Sequence, residues 1–251
     1  MTAPAVPFPT RMSDSTVMAK QAGKADQYID EDCPMSAPSR TTRRLVPYIT
    51  SREGEHPDYL SSLRGTYGPD GRLQLGYWNE LHEDRDLRGV LWGRCSQTIG
   101  VDGLPTGRPR WRMVHPSRQR ECMEQLRCQV CAQSARTRHG VIFLAGPNEV
   151  RSEDVVVRTA QPPVCLKHAR AAAEQCPHLA GQPTVFLVQS APLYGVIGTP
   201  YQYGDGGLQA LPATDEALPY GHPGLRWYLA SQMGRRLRAY TVIALDDLPD
   251  R

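Results

Sequence analysis

Lysine is nearly missing from this chain of 251 residues: Lys20, Lys24 and Lys167 stand alone among 29 basic positions. Arginine therefore carries the positive charge. The bias first reflects a G+C-rich genome, and only then the fit of a planar guanidinium to phosphate. Long apolar runs are missing too. No stretch approaches the roughly 18 apolar residues of a membrane span, and Met1–Pro9 lacks the charged start and apolar core of a secretory signal. Net charge is small: at +3 the total supports no polyanion partner, so only its distribution is informative. Disulfide-framework spacing is absent as well, since the seven cysteines are odd in number and irregularly placed. A soluble protein of the reducing cytoplasm is the expectation.

What the chain does have is two paired metal-binding motifs. Cys128-Gln129-Val130-Cys131 is answered by Cys165-Leu166-Lys167-His168. Two soft ligands separated by two residues wrap one ion through a tight turn, and two such pairs complete the tetrahedron of a structural zinc. Between the halves, Gly140–Leu144 and Val155–Val157 are short apolar runs around Gly146-Pro147-Asn148, a pattern that predicts a hairpin. From Cys165 onward the helix formers Ala171, Ala172, Ala173 and Glu174 predict a helix whose first turn carries Cys165 and His168 on one face. Amide dipoles at that helix start favour the Cys165 thiolate. Cys176 and His178 form a rival pair. Cys176 would stand on the order of 16 Å along the helix from Cys165, so either pair can close the site but hardly both. Cys165 and His168 are preferred because a helix pre-orients them.

A knuckle, a hairpin and a helix that completes the site resemble a treble-clef zinc finger over residues 128–175. The wider stretch, from Val114 through Cys131 with Pro162–Arg170 and Cys176–Leu179, also resembles a group of uncharacterised actinobacterial and actinophage proteins. That likeness implies a shared zinc-built fold and no particular activity.

The rest of the chain reads as mixed α and β. Residues 1–40 are rich in Pro, Ala and Ser without periodicity, the composition of a disordered leader. Residues 41–251 are expected to form a single α+β domain enclosing the zinc module at 116–180. Its expected strands are Arg44–Thr50, Tyr59–Tyr67 turning through Gly68–Gly71 to Arg72–Trp78, Gly89–Gln97, Trp111–Val114, Thr184–Val188, Tyr194–Tyr203 and Ala239–Leu245. Trp92 is placed in the core and Cys95 buried beside it, while Gly204–Leu218 reads as a loop. Three helices are expected. The first, Arg118–Arg127, is capped by Ser117 with Cys122, Met123 and Leu126 inward, and the second follows Cys165. The third opens at Pro223 with Leu225, Leu229, Met233 and Leu237 at four-residue spacing. The mixture lacks the regular alternation of a doubly wound sheet.

Charge distribution suggests the partner. From Arg108 to Arg138 eight arginines face only Glu121 and Glu124, and a guanidinium stripe beside a metal-rigidified loop is a phosphate footprint. The nucleic-acid candidates are Arg110, Arg112, Arg118, Arg120, Arg127, Arg136 and Arg138. The bland alternative is a solvated face with Arg120 and Glu124 paired at helical spacing. A protein partner, reached by the same surface, is the competing reading, and a small-molecule substrate is not specified. Two enzyme readings stand behind these. A His-metal nuclease would use His139 and Asn148, but no Asp precedes His139 to hold its metal. Otherwise zinc is purely structural and chemistry falls to His115, Tyr203, His222 or Tyr228. Four protein ligands make a closed site, which favours binding over catalysis.

Overall fold

The computed structural model describes residues 45–57, 62–147, 156–179 and 183–248. The expected leader, Asn148 and Tyr59 lie outside them. The described residues belong to one unit, Arg44–Arg251. In chain order it runs β1 (Thr50–Arg52), β2 (Leu63–Tyr67), β3 (Leu73–Tyr77), β4 (Leu91–Trp92), β5 (Pro109–Val114), α1 (Pro116–Gln125), β6 (Arg136–Thr137), β7 (Gly140–Ala145) and β8 (Val157–Thr159). It continues with α2 (Leu166–Gln175), β9 (Thr184–Ser190), β10 (Leu193–Gly204), β11 (Gly207–Ala210), β12 (Leu218–Pro219) and β13 (Tyr228–Ile243). The balance corrects the α+β expectation with three helices: only two α-helices occur among the described residues, and strands dominate in a curled antiparallel sheet.

The missing third helix is the N-terminal two-thirds of β13. A 3-10 turn covers Pro223–Trp227, and from Tyr228 the chain is extended for 16 residues. The reason is arithmetic: residues four apart share one face of a helix, but they share one face of a strand as well. Leu229, Met233 and Leu237 are buried as expected, and so are Tyr228 and Ala230, which sit on the opposite face of a strand. Burial on both faces is what a central strand needs. Good helix formers such as Leu229 and Met233 follow the pairing available to them, because tertiary context overrides propensity.

β13 is the spine of the nine-stranded sheet, whose main path runs β11-β10-β13-β9-β7-β6. β10 lies antiparallel along its first half, from Leu193 opposite Arg235 to Pro200 opposite Tyr228. β9 continues along its second half, from Ser190 opposite Arg238 to Val185 opposite Ile243. β9 and β10 thus run end to end, broken at Ala191-Pro192, while β13 passes both. Ala239 takes a left-handed φ of 46° near that junction. Close approach fixes Gly198 in β10: a Cβ there would lie 2.0 Å from the Leu229 carbonyl oxygen.

Helix α1 packs against this spine and is tied to it by polar side chains. Pro116 occupies the first turn after His115, so the helix starts before Ser117, the expected cap, because proline's fixed φ suits the first helical position. The Gln119 amide, fully buried, donates to the Met233 carbonyl at 2.9 Å and to that of Ala160 at 2.8 Å, and accepts from the Met233 N–H at 2.8 Å. It behaves as an added strand residue. Arg235 of β13 donates to the carbonyls of Met123, at 2.8 Å through Nε, and Glu124, which α1 leaves open at its C-terminal end.

Arg118 corrects another expectation. Instead of facing solvent it is 1% exposed, held by the Glu55 carboxylate at 2.5 and 2.8 Å and by the Thr50 carbonyl at 2.9 Å. Glu55 itself is 1% exposed. Burial alone raises its carboxyl, but hydrogen bonds from Arg118 and the Arg52 N–H, with the Arg118 charge, override it and hold the group at about 2. The pair ties the loop after β1 to α1. Cys95, expected buried, is only half-buried.

Removing the carboxylate leaves a buried guanidinium without its counter-charge, so Glu55→Gln is expected to cost about 3–5 kcal/mol. Chemical denaturation of the two proteins measures it. The folded carboxyl lies below its ordinary 4.5, so its contribution is full above that pH and drains away as pH falls toward about 2. The stability gap between wild type and Glu55→Gln should therefore narrow across that window.

Candidate metal centre

The knuckle sits directly after α1. Leu126 ends the helix in the left-handed region at φ 53°, and the Arg127 N–H turns back to the Cys122 carbonyl at 2.9 Å. That reversal aims Cys128 inward, where it is fully buried. The loop closes on itself: the Cys128 N–H donates to the Gln133 carbonyl at 2.7 Å and the Ala132 N–H to the Cys128 carbonyl at 2.8 Å. Ala132 is left-handed too, at φ 57°.

The second half of the site is brought alongside by backbone pairing. The Val164 N–H donates to the Ile142 carbonyl of β7 at 2.9 Å, and the Gln129 N–H to the Pro163 carbonyl at 2.9 Å. Cys165 is the N-cap of α2, and His168 lies in the helix's first turn. On the outer side Tyr48 and Ile49 donate their N–H groups to the carbonyls of Val130 and Gln129 at 3.1 and 3.2 Å. Arg44–Thr50 was expected as a strand. Of its described residues, 45–50, only Thr50 joins one, because Tyr48 and Ile49 pair with the knuckle instead.

Cys128, Cys131, Cys165 and His168 present four ligand atoms that all lie within 4.8 Å of one another. Cys131 Sγ to Cys165 Sγ is 3.9 Å, Cys128 Sγ to His168 Nδ1 is 3.8 Å, and Cys165 Sγ to His168 Nδ1 is 3.2 Å. With Zn–S near 2.3 Å and Zn–N near 2.0 Å, tetrahedral geometry sets ligand-to-ligand separations of about 3.5–3.8 Å. These three separations straddle that range and every pair lies within 4.8 Å, so the donor set is compatible with a tetrahedral zinc. The three cysteines are free rather than disulfide-bonded. The Cys165 sulfur is the natural thiolate: a hydrogen bond from the Cys128 thiol lowers it first, against burial, and the His168 backbone N–H and ring add to the effect. Cys128, the donor of that bond, is correspondingly raised. A divalent cation would displace the shared proton and take all three as thiolates.

The hairpin expected between the two halves forms with different partners. β7 pairs with β6 through the turn Arg138-His139 and, on its other edge, with β9. β8, which contains Val157, pairs with β13 instead. An apolar run buried on both faces gives no sign of which neighbour it will take.

The predicted nucleic-acid residues scatter. Arg112, Arg136 and Arg138 are exposed, and Arg110 is half-buried with its guanidinium on the Glu55 carbonyl at 3.3 Å. Arg118 is in the core. Arg120 is held by Glu124 at 3.1 Å and lies over the Trp92 ring, and Arg127 pairs with Glu121 at 3.1 Å. Helical spacing to Glu124 was the available signal for Arg120. Nothing local marked Arg118, whose partner Glu55 is distant in the chain. Among the residues considered for catalysis, His222 and Tyr228 share an open cleft of about 630 Å³. His115 is fully buried with Nε2 at 3.1 Å from the Ser96 carbonyl, and Tyr203 stacks on Trp227. His139 is exposed, its ring accepting from Arg138 at 2.8 Å, and no second cluster of metal-binding groups occurs among the described residues.

No protein family, curated protein or solved structure matches this chain. Among the described residues no helix is long and apolar enough to cross a membrane.

The donor set predicts one zinc per chain. Cys131→Ser should lose it, and a strong chelator should lower the wild-type melting temperature markedly while leaving that of Cys131→Ser unchanged. Elemental analysis and thermal melts read both effects. Because a left-handed alanine carries a Cβ penalty of about 1 kcal/mol, Ala132→Gly is expected to raise the melting temperature by a few degrees with metal content intact.

Proposed function

We propose that this is a zinc-stabilised binding protein whose Cys128, Cys131, Cys165 and His168 hold the ion in a treble-clef arrangement, and that its partner is nucleic acid. Four protein donors leave no open coordination position, which suits a structural ion rather than a Lewis acid. The order of knuckle, β6–β7 hairpin and α2 supports the treble-clef reading.

The observation that carries the partner reading is a run without any acid, Gly103–Arg120, whose exposed part is β5 and its approach. Arg108 and Arg112 are solvent-facing there, with Arg110 half-buried between them. Arg136 and Arg138, exposed around the β6–β7 turn, supply a second basic segment. The set is smaller than the eight arginines of the sequence run, since Arg118, Arg120 and Arg127 are engaged within the protein. Phosphate contacts by arginine carry affinity that is independent of sequence and falls with salt.

Binding of labelled oligonucleotides at 50 and 200 mM salt tests this. Affinity should fall with salt, and replacing Arg108 and Arg112 together by Gln should flatten the log–log slope by roughly 1–2. Salt-independent binding, or none at the lower salt, would exclude the reading.

A further inference from the structure

We propose that Cys131 and Cys165 are a peroxide-reactive pair, oxidised to a disulfide that replaces the ion as the link between the two turns of the candidate metal centre. This rests on the zinc reading above and adds a covalent modification to the same site.

Burial and distance single out these two among the three cysteines of the site. Cys128 is fully buried, and its sulfur accepts the Val130 N–H at 3.4 Å. Cys131 and Cys165 are only half-buried, so a small oxidant from solvent reaches them, and their sulfurs lie 3.9 Å apart. At that separation the two atoms are in contact, and a bond of about 2.05 Å needs them to close by roughly 2 Å. Cys122 and Cys176 make poor alternative partners. Cys122 is fully buried with its thiol on the Cys128 carbonyl at 3.8 Å, and Cys176 closes the far end of α2, on the order of 16 Å along the axis from Cys165. Neither belongs to the four-donor cluster.

The chemistry consumes one equivalent of a peroxide. One thiolate of the pair attacks a peroxide oxygen: the O–O bond breaks, hydroxide leaves, and the sulfur becomes a sulfenic acid. The second thiolate attacks that sulfur, the S–O bond breaks, another hydroxide leaves, and the S–S bond forms. Two electrons pass from the two sulfurs to the peroxide, which ends as two hydroxides. Cys128 and His168 remain, and two donors are too few for a tetrahedral structural site. The new bond spans 34 positions and joins the knuckle to the start of α2, as the four donors do. A bridge from Cys128 to Cys131 would close the knuckle alone. Because a longer closed loop restricts the unfolded chain more, the Cys131–Cys165 bridge keeps the two turns together without metal.

The experiment treats the purified full chain with hydrogen peroxide. A chromogenic chelator follows metal release, and peptide mass mapping under non-reducing conditions locates the cross-links. One zinc should be released for each Cys131–Cys165 bridge formed, and dithiothreitol with added zinc should restore the starting state. The oxidised protein should melt above reduced protein stripped of metal by a chelator. Replacing Cys33, Cys95 and Cys176 together by serine, which removes thiols outside the site, should leave both the rate of release and the bridge unchanged. Oxidation that ends in a Cys128–Cys131 or Cys128–Cys165 bridge, or in sulfinic acid without a bridge, overturns the proposal and leaves the zinc reading standing. Zinc retained through the treatment does the same. If the purified chain carries no zinc yet forms the Cys131–Cys165 bridge, the zinc reading fails while the reactive pair stands. If it carries none and forms none, both fail.

Discussion

Four side-chain donors drawn from two separate turns meet at one point of this fold. Cys128 and Cys131 come from the reversal after α1, Cys165 and His168 from the start of α2, and their ligand atoms gather within 4.8 Å. The first of these turns carries backbone strain. Leu126 and Ala132 are both left-handed without being glycine, a conformation that costs a non-glycine residue about 1–2 kcal/mol. An ion bound by the four donors would supply free energy to offset such strain, since binding to a site absent from the unfolded chain is itself folding free energy. The apolar cluster behind the site, with Ile142, Phe143, Val164, Ala169 and Phe186, packs against the cysteines, so core burial and the four donors involve the same segments.

From that centre the structure extends through polar side chains that act as backbone. Gln119 completes hydrogen bonds along β13, and Arg235 covers carbonyls that α1 leaves open. Arg118 and Glu55 fasten the loop after β1 to the same helix. One helix is therefore gripped on three sides before it delivers Cys128 to the site. Each grip is buried and charged or amide-based, so loss of one partner exposes the full desolvation cost of the other.

The four-donor cluster was legible because its signal is local. Two Cys/His pairs with two-residue spacing and a helix start declare themselves within a few positions, and α2, β7 and β9 followed from the same short-range patterns. What was not legible depended on remote partners. Leu229, Met233 and Leu237 fit helix and strand equally, and only their pairing with β10, β8 and β9 decides between them. Val157 joined β13 instead of β7 because an apolar run does not encode its neighbour. Arg118 read as a surface charge on α1 because Glu55 lies 63 residues away. Charge counted along a sequence overestimates charge available to a ligand.

That last point shapes the functional account. Three of the eight arginines in the Arg108–Arg138 run, Arg118, Arg120 and Arg127, bind other groups of the protein, and the exposed ones lie on or just before β5 and around the β6–β7 turn. β5 leads through α1 into the Cys128–Cys131 turn and β6 follows it, so the account stands or falls with the coordination at its centre. Zinc K-edge X-ray absorption on the purified protein tests it most directly. Three sulfur scatterers near 2.3 Å and one nitrogen near 2.0 Å are predicted. A first shell dominated by oxygen or nitrogen, or protein carrying no zinc while fully folded, would contradict it.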